Sequence, residues 1–335
     1  MARPLPSGTE KTGMYLQLPE GGQLELPRDA MRPDVVDGDL PDGALLDNAG
    51  YLVVPKDFTQ KIYGAQERLN YLALTLPTER HKTRVAKSWR DKYTLDKEPL
   101  GEGGQAQVMR ATDRGTDEVC ALKRLLYDRD HDGAERMRRE IETLLSIEHR
   151  NVMPVLVRSR DFDWYTMPVA GRVLVDEVLP IDGALLREIV TACCGALVAG
   201  HGKAHYHRDI TPGNVFHITY GQEPRWVLGD WGLVRRAGRT TIHRTGAELG
   251  TMGFAAPEML VDPHGIDHRA DIYSLGRVIA WAVTGAMPEQ NVALRAPGPW
   301  ADFVEAATQH KREDRPPSVQ DLLSLAPAWS RAAEP

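Results

Sequence analysis

The stretch that decides the fold is His207-Arg208-Asp209-Ile210-Thr211-Pro212-Gly213-Asn214. It places the Asp209 carboxylate five residues before the Asn214 amide, in a tight loop that contains Pro212 and Gly213. A carboxylate in such a loop can accept a proton from a hydroxyl group, while the amide oxygen can bind a metal ion. Because these residue types rarely occur together at this spacing by chance, the stretch indicates a catalytic loop rather than a simple turn.

A second carboxylate follows this loop. Asp230-Trp231-Gly232 lies sixteen residues after Asn214 and is preceded by the apolar pair Val227-Leu228. This order predicts a strand that brings the Asp230 carboxylate into a cleft, followed by a glycine hinge. Magnesium prefers hard oxygen ligands and phosphates, so Asn214 and Asp230 are candidate Mg²⁺ ligands. Taken alone, an aspartate at this place is also typical of an ordinary turn.

A glycine-rich turn precedes the loop by about a hundred residues. It spans residues 100–108, between two predicted strands, and contains Gly101, Gly103 and Gly104. Glycines let the backbone approach a phosphate and turn its amides toward it, although an ordinary glycine turn would look the same. Ala106 stands where a G-x-G-x-x-G pattern has its third glycine, and no helix follows directly. A dinucleotide fingerprint and a Walker-type loop are therefore disfavoured.

Lys123 follows this turn in the predicted strand Cys120-Ala121-Leu122-Lys123. A lysine between apolar strand residues needs a partner, since a buried ammonium group is costly without one. Glu140 on the next predicted helix is the candidate partner, and the pair would hold the ammonium group on nucleotide phosphates. The alternative is a lysine at the sheet edge with its head group in water.

The order of these motifs resembles the catalytic domain of the eukaryotic-type protein kinases, from about Tyr93 to Leu325. Three later features add to the resemblance: Ala256-Pro257-Glu258, the helix-forming run 271–276, and Arg315, which resembles the arginine that pairs with Glu258. The resemblance implies an α+β, bilobal fold with a small β-rich N-lobe and a larger helical C-lobe. It predicts a catalytic domain over residues 93–326, after an N-terminal extension (1–92) and before a tail (327–335).

The resemblance also implies residue roles and cofactors, namely ATP and Mg²⁺. Asp209 orients the substrate hydroxyl and accepts its proton, Lys123 contacts the α- and β-phosphates and pairs with Glu140, and Asn214 and Asp230 hold Mg²⁺. Thr251 completes the predicted catalytic set. The predicted ATP-binding residues are Leu100, Gly101, Gly103, Gly104, Ala106, Val108, Ala121, Lys123, the gatekeeper-like Met167, Val169 and Phe216.

Three positions depart from the family pattern. Ala106 adds a methyl group to the glycine loop, which we expect to reduce its flexibility without loss of ATP binding. Trp231 replaces a phenylalanine and keeps a large apolar side chain beside Asp230. Thr211 replaces the lysine of Ser/Thr kinases, which can lower the rate and removes one marker of specificity. Gly250-Thr251 retains the other marker, so Ser/Thr substrates are favoured over Tyr.

The segment from Asp230 to Glu258 resembles an activation segment. In the family, an arginine at the place of Arg208 commonly makes activity depend on a phosphate in this segment. A phosphate there would add about −1.5 to −2 charge and could pair with Arg208. The candidate acceptors, which could also be plain loop residues, are Thr240, Thr241 and Thr245.

Composition excludes several classes of protein. The 335 residues are 42% hydrophobic and 26% charged, with a net charge of −6, which argues against bulk nucleic-acid binding. Three cysteines rule out a disulfide scaffold. The apolar run from Ile189 to Gly200 falls short of the about 20 residues that span a bilayer. We see no secretory signal, and we expect a cytoplasmic protein without a membrane span.

Residues 1–92 lie outside the resemblance. We expect short β elements there and a helix over about 58–76, whose apolar stripe docks on the small lobe and biases Glu140. A basic run from Arg80 to Arg90 follows, which is a solvated face or a docking surface. The extension is an autoinhibitory arm, a site for a regulatory partner, or simple packing.

The leading interpretation is an active protein Ser/Thr kinase that acts on protein substrates and phosphorylates its own activation segment. A pseudokinase or scaffold, which binds ATP without efficient transfer, is the main alternative, because of Thr211 and Ala106. A small-molecule kinase of the aminoglycoside or choline type is a third. It does not usually carry a segment such as 250–258, whose role is to dock a peptide.

Overall fold

The computed structural model describes residues 83–103, 105–126, 131–181, 183–221, 223–231, 253–261, 266–290 and 292–327, and four short strands nearer the N-terminus. By its internal contacts the chain divides into two compact units, residues 1–76 and 77–335. The predicted helix over 58–76 and the start of the basic run lie outside the described residues.

The first unit contains a four-stranded sheet with the order β2-β1-β4-β3. Strand β1 runs antiparallel to β2 and parallel to β4, which in turn pairs antiparallel with β3. The strands are β1 (Met14–Gln17), β2 (Gln23–Leu26), β3 (Leu45–Leu46) and β4 (Leu52–Val53). Short β elements were expected here, and the role of the extension stays a prediction.

The second unit begins with a six-stranded sheet of order β5-β9-β10-β8-β7-β6. Its strands are β5 (Arg84–Ala86), β6 (Tyr93–Glu102), β7 (Ala106–Asp113), β8 (Val119–Leu125), β9 (Val157–Ser159) and β10 (Trp164–Met167). Helix α1 (His131–Ser146) lies between β8 and β9 in the chain. Neighbouring strands are antiparallel except β5 and β9, which run parallel.

Strand β8 shows why the two faces of this sheet differ. Alternate residues of a strand point to opposite faces. Cys120 and Leu122 therefore join a buried apolar cluster, here called the outer cluster. In this cluster the rings of Tyr93 and Trp164 meet edge to face, with their centroids 6.1 Å apart. Lys123 is turned to the opposite face. The outer cluster is completed by Ala86 and Trp89, from the segment before the predicted start of the catalytic domain at residue 93.

The remainder of the unit is mainly helical, as the fold prediction required. A three-stranded sheet consists of β11 (Ala170–Val173), β12 (Val215–Tyr220) and β13 (Glu223–Leu228). The helices are α2 (Gly183–His201), α3 (Pro257–Val261), α4 (Arg269–Thr284), α5 (Ala301–Ala307) and α6 (Val319–Leu323). The predicted α+β fold, with a β-sheet region followed by a helical region, is confirmed.

Helix α2 bears on the expected absence of a membrane span. The apolar run from Ile189 to Gly200 is part of a 19-residue helix of mean hydropathy 1.5, long and apolar enough to cross a membrane by length and composition. In the part of the chain that is described, it is the one helix with this length and hydropathy, and 56% of its apolar stretch is buried inside the protein. It contacts β13, α4 and α6. The expected absence of a membrane span stays a prediction.

Helix α4 is buried over most of its length and carries a buried guanidinium group. Arg277 is 1% exposed. It donates three hydrogen bonds to backbone carbonyl oxygens, at 2.9 Å to Gly253, 2.7 Å to Val292 and 2.7 Å to Glu289. Arg277 therefore joins α4 to two separate loops, one of which leads directly into Ala256-Pro257-Glu258.

We expect Arg277→Met to lower the free energy of unfolding by about 3 kcal/mol, because three backbone carbonyl oxygens lose the buried guanidinium that donates to them. Urea denaturation followed by circular dichroism measures the change. Arg110→Met, at an exposed position of β7, is the matched control and should change the free energy by less than about 0.5 kcal/mol. Equal midpoints for the two variants would contradict this assignment.

Candidate active site

The ammonium group of Lys123 lies at the centre of the site. Its Nζ donates a hydrogen bond to Glu140 Oε1 at 2.6 Å and another to Asp230 Oδ1 at 3.1 Å. Glu140 lies on α1, and Asp230 follows the end of β13. Three separate elements thus meet at one cation, and the Lys123–Glu140 pair that the sequence suggested is formed.

Charge and burial compete in this cluster. Burial lowers the pKa of Lys123, but the charges of Asp230 and Glu140 outweigh burial and leave the pKa above its usual value. Lys123 in turn holds the pKa of Asp230 below its usual range. For Glu140, burial dominates over the attraction of Lys123 and raises the pKa of the carboxyl group. Lys123 is therefore a permanent cation at neutral pH, available to an anionic ligand.

The Asp209–Asn214 loop is closed on itself. Asn214 Nδ2 donates to the Asp209 backbone oxygen at 2.7 Å and to Asp209 Oδ2 at 3.2 Å. A short 3-10 helix at Pro212–Asn214 makes this turn, and the Thr211 carbonyl oxygen accepts a hydrogen bond from the backbone amide of Asn214 at 3.0 Å. Burial and the charge of Asp230 raise the pKa of Asp209 to about 7. Such a carboxyl group can both bind and release a proton near neutral pH.

Asp271 of α4 fixes the backbone of this loop. Its two carboxylate oxygens accept the backbone amides of His207 at 2.8 Å and Arg208 at 2.7 Å, and His201 Nε2 lies 2.8 Å from Oδ2. Arg208 has a φ of 63°, in the left-handed region that non-glycine residues seldom adopt. No motif in the sequence pointed to this role for Asp271. A carboxylate within the apolar run of α4 was the available signal.

The residues predicted to hold Mg²⁺ suit that ion. Asn214 directs its Nδ2 to Asp209, which leaves its amide oxygen for a cation, and the Asp230 side chain is 44% exposed. The negative charge of Asp230 raises the pKa of the half-buried Asp209 carboxyl group. A cation bound between the two carboxyl groups would reduce this repulsion. Magnesium is often bound by one or two protein oxygens together with substrate phosphates. Over the described residues, no group of three or more His, Cys, Asp or Glu side chains could hold a metal.

Most of the predicted ATP-binding residues lie on strands of the six-stranded sheet. Strands β6 and β7 form a hairpin in which Gly101 pairs with Val108, and the Gly103 amide donates to the Ala106 carbonyl at 2.9 Å. Met167 of β10 lies opposite Ala121 of β8. Leu100 is on β6, Phe216 is on β12, and Val169 lies between β10 and β11. Gly104, Thr240, Thr241, Thr245 and Thr251 lie outside the described residues.

Trp231, the expected apolar neighbour of Asp230, is fully buried. Its Nε1 donates to the Leu228 carbonyl at 3.2 Å, and its ring meets the His207 ring edge to face at 4.8 Å. A Cβ atom added to Gly200 of α2 would lie 2.6 Å from two atoms of the Trp231 ring. Gly200 thus provides the space for the larger ring, a contact that sequence analysis missed.

The ion pair that the resemblance implied between Glu258 and Arg315 is also formed. The Arg315 guanidinium donates to both Glu258 carboxylate oxygens, at 2.6 and 2.8 Å. It also stacks over the Tyr273 ring at 4.8 Å. This buried contact joins α3 to the loop before α6.

Comparison with known proteins agrees with this arrangement. A model of the protein kinase domain matches residues 94–318. The chain is 34% identical over 199 residues to the DNA damage-responsive serine/threonine-protein kinase RqkA of Deinococcus radiodurans, which covers 56% of this chain and 29% of that protein. It is 31% identical over 252 residues to the probable serine/threonine-protein kinase PknB of Corynebacterium glutamicum, covering 71% and 37%. The chain spans well under half the length of these relatives.

We expect Gly200→Ala to lower the free energy of unfolding by about 2 kcal/mol, because the new methyl group overlaps the Trp231 ring. Trp231→Phe in the same chain should recover part of the loss, since the smaller ring frees that space. Thermal or urea unfolding measures both. Gly183→Ala, on the same helix with nothing within 4 Å of its Cβ, is the control and should not destabilise the protein. Additive effects of the two substitutions would contradict the contact.

The raised pKa of Asp209 predicts a pH-dependent gain in stability for Asp209→Asn. The folded protein keeps this proton up to about pH 7, whereas the unfolded chain releases it near the ordinary value of 3.8. Stability therefore falls as pH rises between these values, and asparagine removes that penalty. The melting temperature of the variant should exceed that of the wild type at about pH 8, by more than at about pH 5. A difference that does not change with pH would count against the raised pKa.

Proposed function

Because this chain belongs to the protein kinase family, we propose that it is an ATP- and Mg²⁺-dependent protein kinase that phosphorylates serine or threonine hydroxyls of protein substrates. The observation that carries the proposal is the meeting of Lys123, Asp230 and Asp209 around one site, with Asn214 bonded to Asp209. The relatives named above are described as serine/threonine-protein kinases, which supports the choice of hydroxyl.

Asp209 is the base of the proposed reaction. A substrate hydroxyl oxygen forms the new bond to the γ-phosphorus of ATP, while the bond from that phosphorus to the β–γ bridging oxygen breaks. Asp209 accepts the hydroxyl proton, and ADP leaves with the bridging oxygen. A pKa of about 7 suits this task, because a base is most effective when its pKa lies near the working pH.

Lys123 and the magnesium ligands bind the phosphates. Lys123 supplies a fixed positive charge, and Glu140 orients it from α1. When bound, Mg²⁺ supplies the positive charge that neutralises the phosphate oxygens, and Asn214 and Asp230 would hold it. This arrangement agrees with phosphoryl transfer, in which positioning and electrostatics provide most of the catalysis.

The pseudokinase alternative rests on Thr211 and Ala106. A lysine in place of Thr211 would bring a positive charge near the transferred phosphate, and threonine cannot. The proposal also includes autophosphorylation at Thr240, Thr241 or Thr245, a cytoplasmic location and a regulatory partner for residues 1–92. Net charge and cysteine content support the location, and the amphipathic pattern at 58–76 supports the partner.

Transfer of labelled phosphate from ATP tests the proposal. We expect the wild-type chain with Mg²⁺ to label itself or a protein mixture, and Asp209→Asn to reduce the rate by about 100-fold or more. Asp96→Asn, an exposed aspartate on β6, should keep the wild-type rate. Mapping of the labelled residues tests the three threonines. A folded chain that binds ATP without transfer would overturn the kinase proposal in favour of the pseudokinase.

A further inference from the structure

Tyr165 contacts the Lys123–Glu140 pair, a contact that the proposed reaction does not use. Tyr165 lies on β10, directly opposite Lys123 of β8 in the antiparallel register. Its hydroxyl group donates to Glu140 Oε1 at 2.7 Å. Lys123 Nζ donates to the same oxygen at 2.6 Å. Glu140 is therefore held from two neighbouring strands at once, by one cation and one neutral donor.

The hydroxyl group adds little to the volume that the Tyr165 ring fills. Tyr165 is 1% exposed, and a phenylalanine ring would occupy nearly the same volume. A buried hydroxyl is costly unless it finds a partner, and here the partner is a carboxylate, which makes the hydrogen bond stronger than a neutral one. Burial and the nearby charge of Glu140 raise the pKa of Tyr165 well above its usual value. The phenol therefore remains a donor at every physiological pH.

The two donors to Glu140 differ in what else they contact. Lys123 already divides its ammonium group between Glu140 and Asp230. An anionic ligand at this site would compete for the same group. Tyr165 has no such second acceptor among its described contacts, and its side chain is buried.

We propose that Tyr165 is a positioning residue that holds Glu140, and with it helix α1, against the sheet when Lys123 turns to a nucleotide phosphate. The ligand class rests on the proposed function, but the contact between α1 and the sheet does not. The far end of α1 is held separately, where Ser146 Oγ lies 2.9 Å from His205 Nε2. Loss of the Tyr165 hydroxyl should therefore loosen the middle of the helix, around Glu140, more than its C-terminal end.

The first test is direct binding of ATP with Mg²⁺ to the full chain, by calorimetry. We expect Tyr165→Phe to raise Kd about tenfold, the loss expected for one hydrogen bond to a charged group. Tyr93→Phe is the matched control: it removes a hydroxyl group from another buried tyrosine of the same sheet, in the outer cluster, and should change Kd less than about twofold. An unchanged Kd in Tyr165→Phe would overturn the proposal.

Hydrogen–deuterium exchange provides a second readout, which needs neither ATP nor catalysis. Amides of α1 around Glu140 should exchange about tenfold faster in Tyr165→Phe, while those of β6 to β8 should exchange as in the wild type. Faster exchange spread evenly over the sheet would show a merely structural role and would contradict positioning. If Tyr165→Phe does not fold, Glu140→Gln tests the contact from the other side, and unchanged exchange in α1 would again overturn it.

A double-mutant cycle separates this contact from general damage. In a Glu140→Gln chain, Tyr165→Phe should have little further effect on the Kd for ATP, because the charged acceptor is already gone. Additive effects would contradict the proposal. If the wild type transfers no phosphate but Tyr165→Phe still weakens ATP binding and speeds α1 exchange, the proposed kinase activity fails and the positioning role stands.

Discussion

The buried carboxylate of Asp271 is the constraint on which the site depends. It accepts two consecutive backbone amides, from His207 and Arg208, and so fixes the loop in which Asp209 follows. An ionised carboxylate in an apolar helix is stable only when such donors surround it. The hydrogen bonds that stabilise the Asp271 charge also hold the loop. They keep Arg208 at its unusual φ. The position of the proposed base is therefore set by the core of the helical region.

The second constraint is that residues from different secondary-structure elements share one ammonium group, that of Lys123. Lys123 is on the sheet, Glu140 is on α1 and Asp230 follows β13, and the two contacts share the one ammonium group. Since Asp209 lies near Asp230, its raised pKa depends on the same arrangement. A change in the position of α1 would thus alter phosphate binding and the proton affinity of the base together.

Much of the site could be predicted from residue order alone. Three pairs were predicted because the chemistry of their motifs requires both residues. They are Lys123 with Glu140, Asp209 with Asn214, and Arg315 with Glu258. Tyr165, Gly200 and Asp271 were missed, because their roles depend on strand register, ring packing and backbone amides rather than on a motif.

Strand β5 has a consequence for the way this chain is handled as a recombinant fragment. It runs along β9, and Ala86 and Trp89 cover the outer apolar cluster of the sheet. A fragment trimmed to the start of β6 would leave β9 as an open edge, with unpaired amides and carbonyls beside an uncovered Trp164. Such edges join to other chains and cause aggregation. The shortest fragment of this unit that resists aggregation therefore begins before Arg84, although the motifs alone suggest a later boundary.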